Sequence, residues 1–183
     1  MEFEILYFLQ GLHQPLLDRL MVGITSLGNG GWFWIALTVL FLCLPKYRRC
    51  GITMAVALVL NFLICNVAVK NLVARERPCW IDPSVELLIP VPKDFSFPSG
   101  HSSVSFAAAA AIFLSHKREG IAALVLAALI AFSRLYLFVH FPTDVLGGIL
   151  TGIFCAAAAF YLTRAVEKKK QKKLILWLFV GMS

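Results

Sequence analysis

Three groups of polar residues interrupt an otherwise apolar chain: Lys70 with Arg77-Pro78, Pro98-Ser99-Gly100-His101, and Ser133-Arg134 with His140 and Asp144. Cations and histidines are costly beside hydrocarbon, so a chain that carries them there is expected to use them. Their types suit a phosphate. Lysine offers a compact positive charge, and arginine a planar fork able to take two oxygens of one anion. Lys70 and Arg77 lie seven residues apart, close to two helical turns, so on a continuous helix both project to one side, with Pro78 ending that helix just beyond. Taken alone, the pair is more simply two interfacial cations reaching for headgroups.

The second group reads as a helix start. Ser99 suits an N-cap, Gly100 lets an oxyanion approach the backbone, and the unpaired first-turn amides attract phosphate. His101 then falls in the first turn, placed to exchange a proton with a departing oxygen; a capped helix with an interfacial histidine fits the same residues equally well. In the third group Arg134 ends one helix, His140 precedes the next, and Pro142 opens it. Asp144 follows His140 by four residues. A carboxylate at that reach keeps one imidazole nitrogen protonated and leaves the other free and more nucleophilic. The alternative is a local His-Asp cap.

The elements that carry these groups follow from composition. At 183 residues, 60% hydrophobic and with a mean hydropathy of +0.81, the chain is too apolar for a soluble globule and reads as a polytopic membrane protein. Its net charge of +7 sits mostly between and after apolar segments, where membrane topology explains it, so a nucleic-acid partner is set aside. Five cysteines show no paired spacing and are expected as free thiols. The N-terminus lacks the basic region and cleavage site of a secretory signal, so its first apolar stretch is expected to be retained.

Apolar runs place spans near 31 to 45, 50 to 73, 99 to 115, 120 to 139 and 143 to 164. An interfacial helix near 3 to 11 and a short inserted helix to about 27 bring the expectation to an all-α bundle of about six transmembrane helices. Gly28-Asn29-Gly30-Gly31 is read as a tight link. The chain is taken as one domain, 1–183, in which 1–27 is the first-helix region and 165–183 a basic cytoplasmic tail. Leu174 to Val180 is too short to span. Alanine runs and the Gly148-x-x-x-Gly152 pair offer faces for close helix approach. Lys46, Arg48, Arg49, Lys117, Arg118 and the tail lysines mark the cytoplasmic side, which puts all three polar groups on the extracytoplasmic face. His13 and His116 are read as interfacial, and Glu76, Asp82, Glu86 and Asp94 as a solvated loop without metal-ligand spacing.

In combination the three groups resemble the type 2 phosphatidic acid phosphatase superfamily, whose signature is Lys-x6-Arg-Pro, Pro-Ser-Gly-His and Ser-Arg-x5-His-x3-Asp. Every signature position is matched, over residues 70 to 144. The resemblance implies a metal-independent phosphatase without cofactor, working through a phosphohistidine in a bacterial cytoplasmic membrane. His140 would attack phosphorus, Asp144 would orient it, and His101 would protonate the leaving oxygen and later activate water. Lys70, Arg77, Arg134 and the Ser99-Gly100 region would neutralise the phosphoryl oxygens. The implied substrate is a lipid phosphate or pyrophosphate drawn from the bilayer: undecaprenyl pyrophosphate first, with phosphatidic acid or phosphatidylglycerol phosphate as alternatives. A non-catalytic lipid-binding protein and a lipid transporter are the rivals. The first is disfavoured by the intact His101, His140 and Asp144, the second by polar groups gathered at one face.

Overall fold

The structure, a computed structural model, describes residues 1–180, with side chains through 172. Within that range the chain is helical and carries no strand: α1 (Glu2–Gln10), α2 (Pro15–Ser26), a 3-10 turn (Asn29–Gly31), α3 (Trp32–Cys43), α4 (Arg48–Asn61), a π-helical stretch (Phe62–Val69), α5 (Lys70–Val73), α6 (Pro78–Ile81), α7 (Gly100–Ser115), α8 (Lys117–Tyr136) and α9 (Pro142–Val180). Three helical stretches are long and apolar enough to cross a bilayer: Arg48–Ile81, Lys117–Tyr136 and Pro142–Lys172. Helices α2 and α3, bent by 44° at the glycine link, qualify together as a fourth. Helix α7 is apolar but shorter. Among the described residues that makes three to four candidate crossings and one shorter apolar helix, α2 and α3 sharing a bend. That bend needs the residues found there, since Gly30 and Gly31 take φ of 58° and 71°.

Helix α7 is the hub. Ala107 to Ala111 are all buried, which lets α4, α8 and α9 close on it from several sides. On α9 a Cβ at Gly148 would lie 2.6 Å from the Ser99 carbonyl oxygen, and one at Gly152 2.4 Å from that of Ser103. The small-residue pair thus brings two backbones together where lipid supplies no hydrophobic contrast. Buried polar bonds add specificity: Trp34 Nε1 donates to Ser105 Oγ at 2.9 Å, and Asn61 Nδ2 to Ser103 Oγ at 3.2 Å.

The N-terminal helices are more than an interfacial appendage. Leu6 and Met21 join Tyr136, Leu137, Phe138, Val139 and Phe141 in a second apolar cluster, and Phe3 meets Phe141 edge-on at 5.2 Å. Helix α1 therefore roofs the 137–141 turn that carries His140. His13, expected to be interfacial, stacks on Tyr136 at 4.3 Å and bonds its carbonyl oxygen. At the other end of the bundle Lys46, Arg49, His116, Arg164 and Lys170 line a separate cleft, so the basic loops do gather together.

The helix carrying Lys70 stops at Val73, where the apolar run places the end of its span, because Ala74 adopts a left-handed conformation with φ of 47°; the continuous helix that would put Lys70 and Arg77 on one side is absent. Pro78 opens α6 instead of closing a helix, in the first-turn position where its missing N–H costs nothing.

Candidate active site

Despite the break at Ala74, Lys70 and Arg77 converge, and what joins them is a carboxylate. Asp94 Oδ2 accepts from Lys70 Nζ, while its Oδ1 accepts from Arg77 Nη2 at 2.7 Å. Asp94, expected in a solvated loop, is instead a bridge between two cations. Partial burial pushes its carboxyl up, but the Lys70 hydrogen bond and charge, with Arg77, hold it down at about 2. Lys70 arrives by way of the π-helical stretch, a rare geometry often found at functional sites. Its Nζ lies 3.8 Å from where a Gly100 Cβ would stand, so the absence of a side chain there leaves room beside the cation.

Arg77 is 2% exposed and anchored on backbone: Nε donates to Asp94 O at 2.7 Å, Nη1 to Val139 O at 2.7 Å, and Nη2 to Phe95 O at 3.3 Å. Its Nη1 also lies 3.1 Å from His140 Nε2. A guanidinium has donors only, so that contact requires Nε2 to be an unprotonated acceptor. Burial, then Arg77, Arg134 and Lys70, lower the His140 pKa well below the ordinary histidine value. The imidazole is neutral, with the Nε2 lone pair facing the cations.

Asp144 does not reach His140 directly. Its Oδ2 is 3.7 Å from Nδ1, beyond a hydrogen bond. The expected His-Asp contact is replaced by Ser96, whose Oγ donates to Asp144 Oδ2 at 2.5 Å and lies 3.3 Å from His140 Nδ1. Asp144, completely buried, also accepts from the Phe141 amide at 2.8 Å and from Arg75 Nη1 at 2.8 Å.

Ser99 caps α7 as its sequence suggests, accepting from the Ser102 amide. Its side chain is buried and also bonded to Ser102 Oγ, so it lies away from the cleft; Gly100 is the residue of the cap that lines the cleft beside Lys70. His101 lines the cleft and is held by Asn29, with Nε2 2.9 Å from Asn29 Oδ1. Gly28 makes that possible: a Cβ there would meet His101 Cδ2 at 2.5 Å. Arg134 is 3% exposed and donates to Thr25 Oγ1 at 2.6 Å, while its Nε is buried with no partner among the described residues.

One cavity of about 1200 Å³ takes in Lys70, Arg77, Asp94, Gly100, His101, Arg134 and His140. Ser99 and Asp144 stand behind its wall. From the cations the cavity continues along α3 and α4 past Ile35, Val39, Leu42, Leu58 and Phe62.

Sequence reasoning missed Ser96, Arg75, Asp94 and Asn29. Arg75 left a trace, since it is a basic residue two positions before Arg77 in the loop that carries that cation. Ser96 and Asn29 left none, because their partners lie 44 and 72 residues away.

An apolar helical bundle that gathers three cations and two histidines at one end has the layout of a membrane phosphatase. The family model described as the PAP2 superfamily matches residues 50–168, and the chain belongs to that superfamily. It is 32% identical over 161 residues to an undecaprenyl-diphosphatase of Sulfolobus acidocaldarius, covering 87% of this chain and 77% of the relative. The crystal structure of Aquifex aeolicus LpxE superposes with a TM-score of 0.76 at 27% identity, covering 87% of this chain and 94% of that one. A transmembrane PAP2 type phosphatidylglycerolphosphate phosphatase from Bacillus subtilis superposes at 0.68 with 30% identity, covering 91% and 84%.

Proposed function

We propose that this membrane-integral phosphatase hydrolyses a lipid pyrophosphate, with undecaprenyl pyrophosphate the first choice, releasing inorganic phosphate through a phosphohistidine at His140. The observation that carries the lipid reading is the shape of the cavity. Its polar end holds the cations and histidines, and its apolar extension runs from Lys70 back along the π-helical stretch and α4 to Ala55, about 20 Å at roughly 1.5 Å per residue. That is roughly two-thirds of a hydrocarbon core, a length wasted on a soluble phosphate ester.

In this reading Lys70, Arg77 and Arg134, with the Gly100 backbone, take the phosphoryl oxygens. His140 Nε2 attacks the terminal phosphorus, and the bond from that phosphorus to the bridging oxygen breaks, so that the lipid monophosphate departs with the bridging oxygen. His101 supplies a proton to that oxygen, then accepts one from the water that cleaves the phosphohistidine. Electrostatic neutralisation of the transferring group is the main task, and the fixed cations meet it without a metal. The reading also puts the site at the extracytoplasmic side, opposite the basic cleft, with the tail from 165 in the cytoplasm of a bacterial cell. Six apolar helices, α2, α3, α4, α7, α8 and α9, form the membrane bundle, α2 and α3 sharing one bent crossing. That arrangement is supported by Glu2, which bonds Arg75 and Thr143 at the site end.

A second reading, phosphatidylglycerol phosphate, is favoured by the likeness to the Bacillus subtilis phosphatase. Phosphate release by the purified protein in detergent, from a panel of diphosphate and monophosphate lipids, decides between them. The undecaprenyl reading expects the highest kcat/KM on prenyl diphosphates; a preference for glycerophospholipid monoesters overturns it.

A further inference from the structure

Behind His140 runs a chain of polar contacts that reaches the N-terminal helix. Glu2 Oε2 accepts from Arg75 Nη2 at 2.6 Å, and Arg75 Nη1 donates to Asp144 Oδ1 at 2.8 Å. Glu2 Oε1 accepts from Thr143 Oγ1 at 2.7 Å, and the Arg75 guanidinium packs over the Phe141 ring at 4.1 Å. Asp144 then meets Ser96, and Ser96 meets His140. The Ser96 amide donates to the Arg75 carbonyl oxygen at 2.8 Å, so the two residues are locked in register. Among the described residues Ser96 is the one side chain within hydrogen-bond distance of both Asp144 and His140 Nδ1.

We infer that Ser96 couples Asp144 to His140, and that Arg75, braced by Glu2, holds Asp144 in the orientation this coupling needs. A serine hydroxyl has a single proton. The carboxylate 2.5 Å away takes it, which leaves Ser96 Oγ as the acceptor for His140 Nδ1–H. That tautomer agrees with the Arg77 contact on the opposite nitrogen, which needs a bare Nε2. As Nε2 bonds phosphorus, the positive charge growing on the imidazole is met through the hydroxyl dipole by a carboxylate that is fully buried. Nδ1 keeps its proton throughout. Ser96, Arg75 and Glu2 are positioning residues, acting through His140 and not on the substrate.

The inference rests on His140 as nucleophile, so the test carries a control for that. In purified full-length protein, Ser96→Ala is expected to lower kcat by about 10- to 100-fold, the usual cost of losing a partner that orients a functional histidine, with KM within about twofold. Glu2→Gln is expected to lower kcat by about 3- to 10-fold. Asp144→Ala should be slow already, and adding Ser96→Ala or Glu2→Gln to it should change kcat by less than about threefold, because one coupling is lost only once. Losses that multiply would mean independent structural effects and overturn the inference, as would wild-type turnover in Ser96→Ala. Normal turnover in Glu2→Gln overturns the brace. Should Ser96→Ala fail to fold, Ser96→Cys fills the same space with a weak donor and is expected to show the same loss. A His140→Ala protein that still turns over removes the nucleophile itself; an inactive His140→Ala beside a normal Ser96→Ala removes only the coupling.

Discussion

Asp94 occupies the position of an internal anion, and replacing it with asparagine should tighten binding of substrate phosphate. The carboxylate sits between Lys70 and Arg77, two of the three cations that the proposed reaction needs, and is held ionised with a pKa of about 2. Incoming phosphate must therefore compete with it. A charge pair near 4 Å at an effective dielectric of 20 is worth about 4 kcal/mol. The Asp94 side chain is 56% exposed, which brings each pair down towards the roughly 1 kcal/mol of a solvated ion pair. Two such pairs give about 1 to 2 kcal/mol, or roughly 5- to 30-fold in anion affinity. An opposing effect is loss of the Asp94 carboxylate as an anchor for Arg77. It is the smaller one, because Arg77 keeps the backbone oxygens of residues 94, 95 and 139. Steady-state phosphate release in detergent, with inorganic phosphate as a competing product, reads both. KM and the phosphate inhibition constant should fall together by about 5- to 30-fold, with no gain in kcat. An unchanged or raised KM would refute the reasoning and make Asp94 a support of the binding site.

Three further outcomes follow from the same geometry. Expulsion of a lipid phosphate needs less protonation than expulsion of an alkoxide, so His101→Ala should damage monoester hydrolysis at least tenfold more than diphosphate hydrolysis; equal losses would remove His101 as the acid. Gly28→Ala drives a methyl to 2.5 Å from the His101 ring, so kcat is expected to fall by about an order of magnitude while inorganic phosphate still binds, and a normal kcat would show that the ring need not sit there. Turnover should survive EDTA, since fixed cations carry the phosphate charge; complete loss, restored by magnesium, would contradict the metal-free reading.

How far the sequence reaches depends on how local each signal is. Helices α3, α4, α7, α8 and α9 are written as apolar runs between polar breaks, and the cap at Ser99 and the bend at Gly30-Gly31 are read from residue types that few other structures accept. Lys70, Arg77, Gly100, His101, Arg134 and His140 are visible because three spacings coincide, and the fold brings them to one cavity. Lys70 and Arg77 share no continuous helix because Ala74 takes a conformation alanine seldom adopts, one that residue type does not announce. Asp94 reads as part of a solvated loop because its partners lie 17 and 24 residues away, and the Glu2–Arg75 contact has no local signal because the two lie 73 residues apart. Such long-range pairing is decided by tertiary packing, here by the roof that α1 makes over the His140 turn.

The central claim is that His140 carries the phosphoryl group, and trapping that intermediate tests it most directly. Purified protein mixed with a diphosphate lipid labelled at its terminal phosphate, then quenched in alkali within one turnover, should retain label in an acid-labile, alkali-stable linkage. His140→Ala should retain none. Label trapped on the His140→Ala protein at the wild-type level would contradict the account.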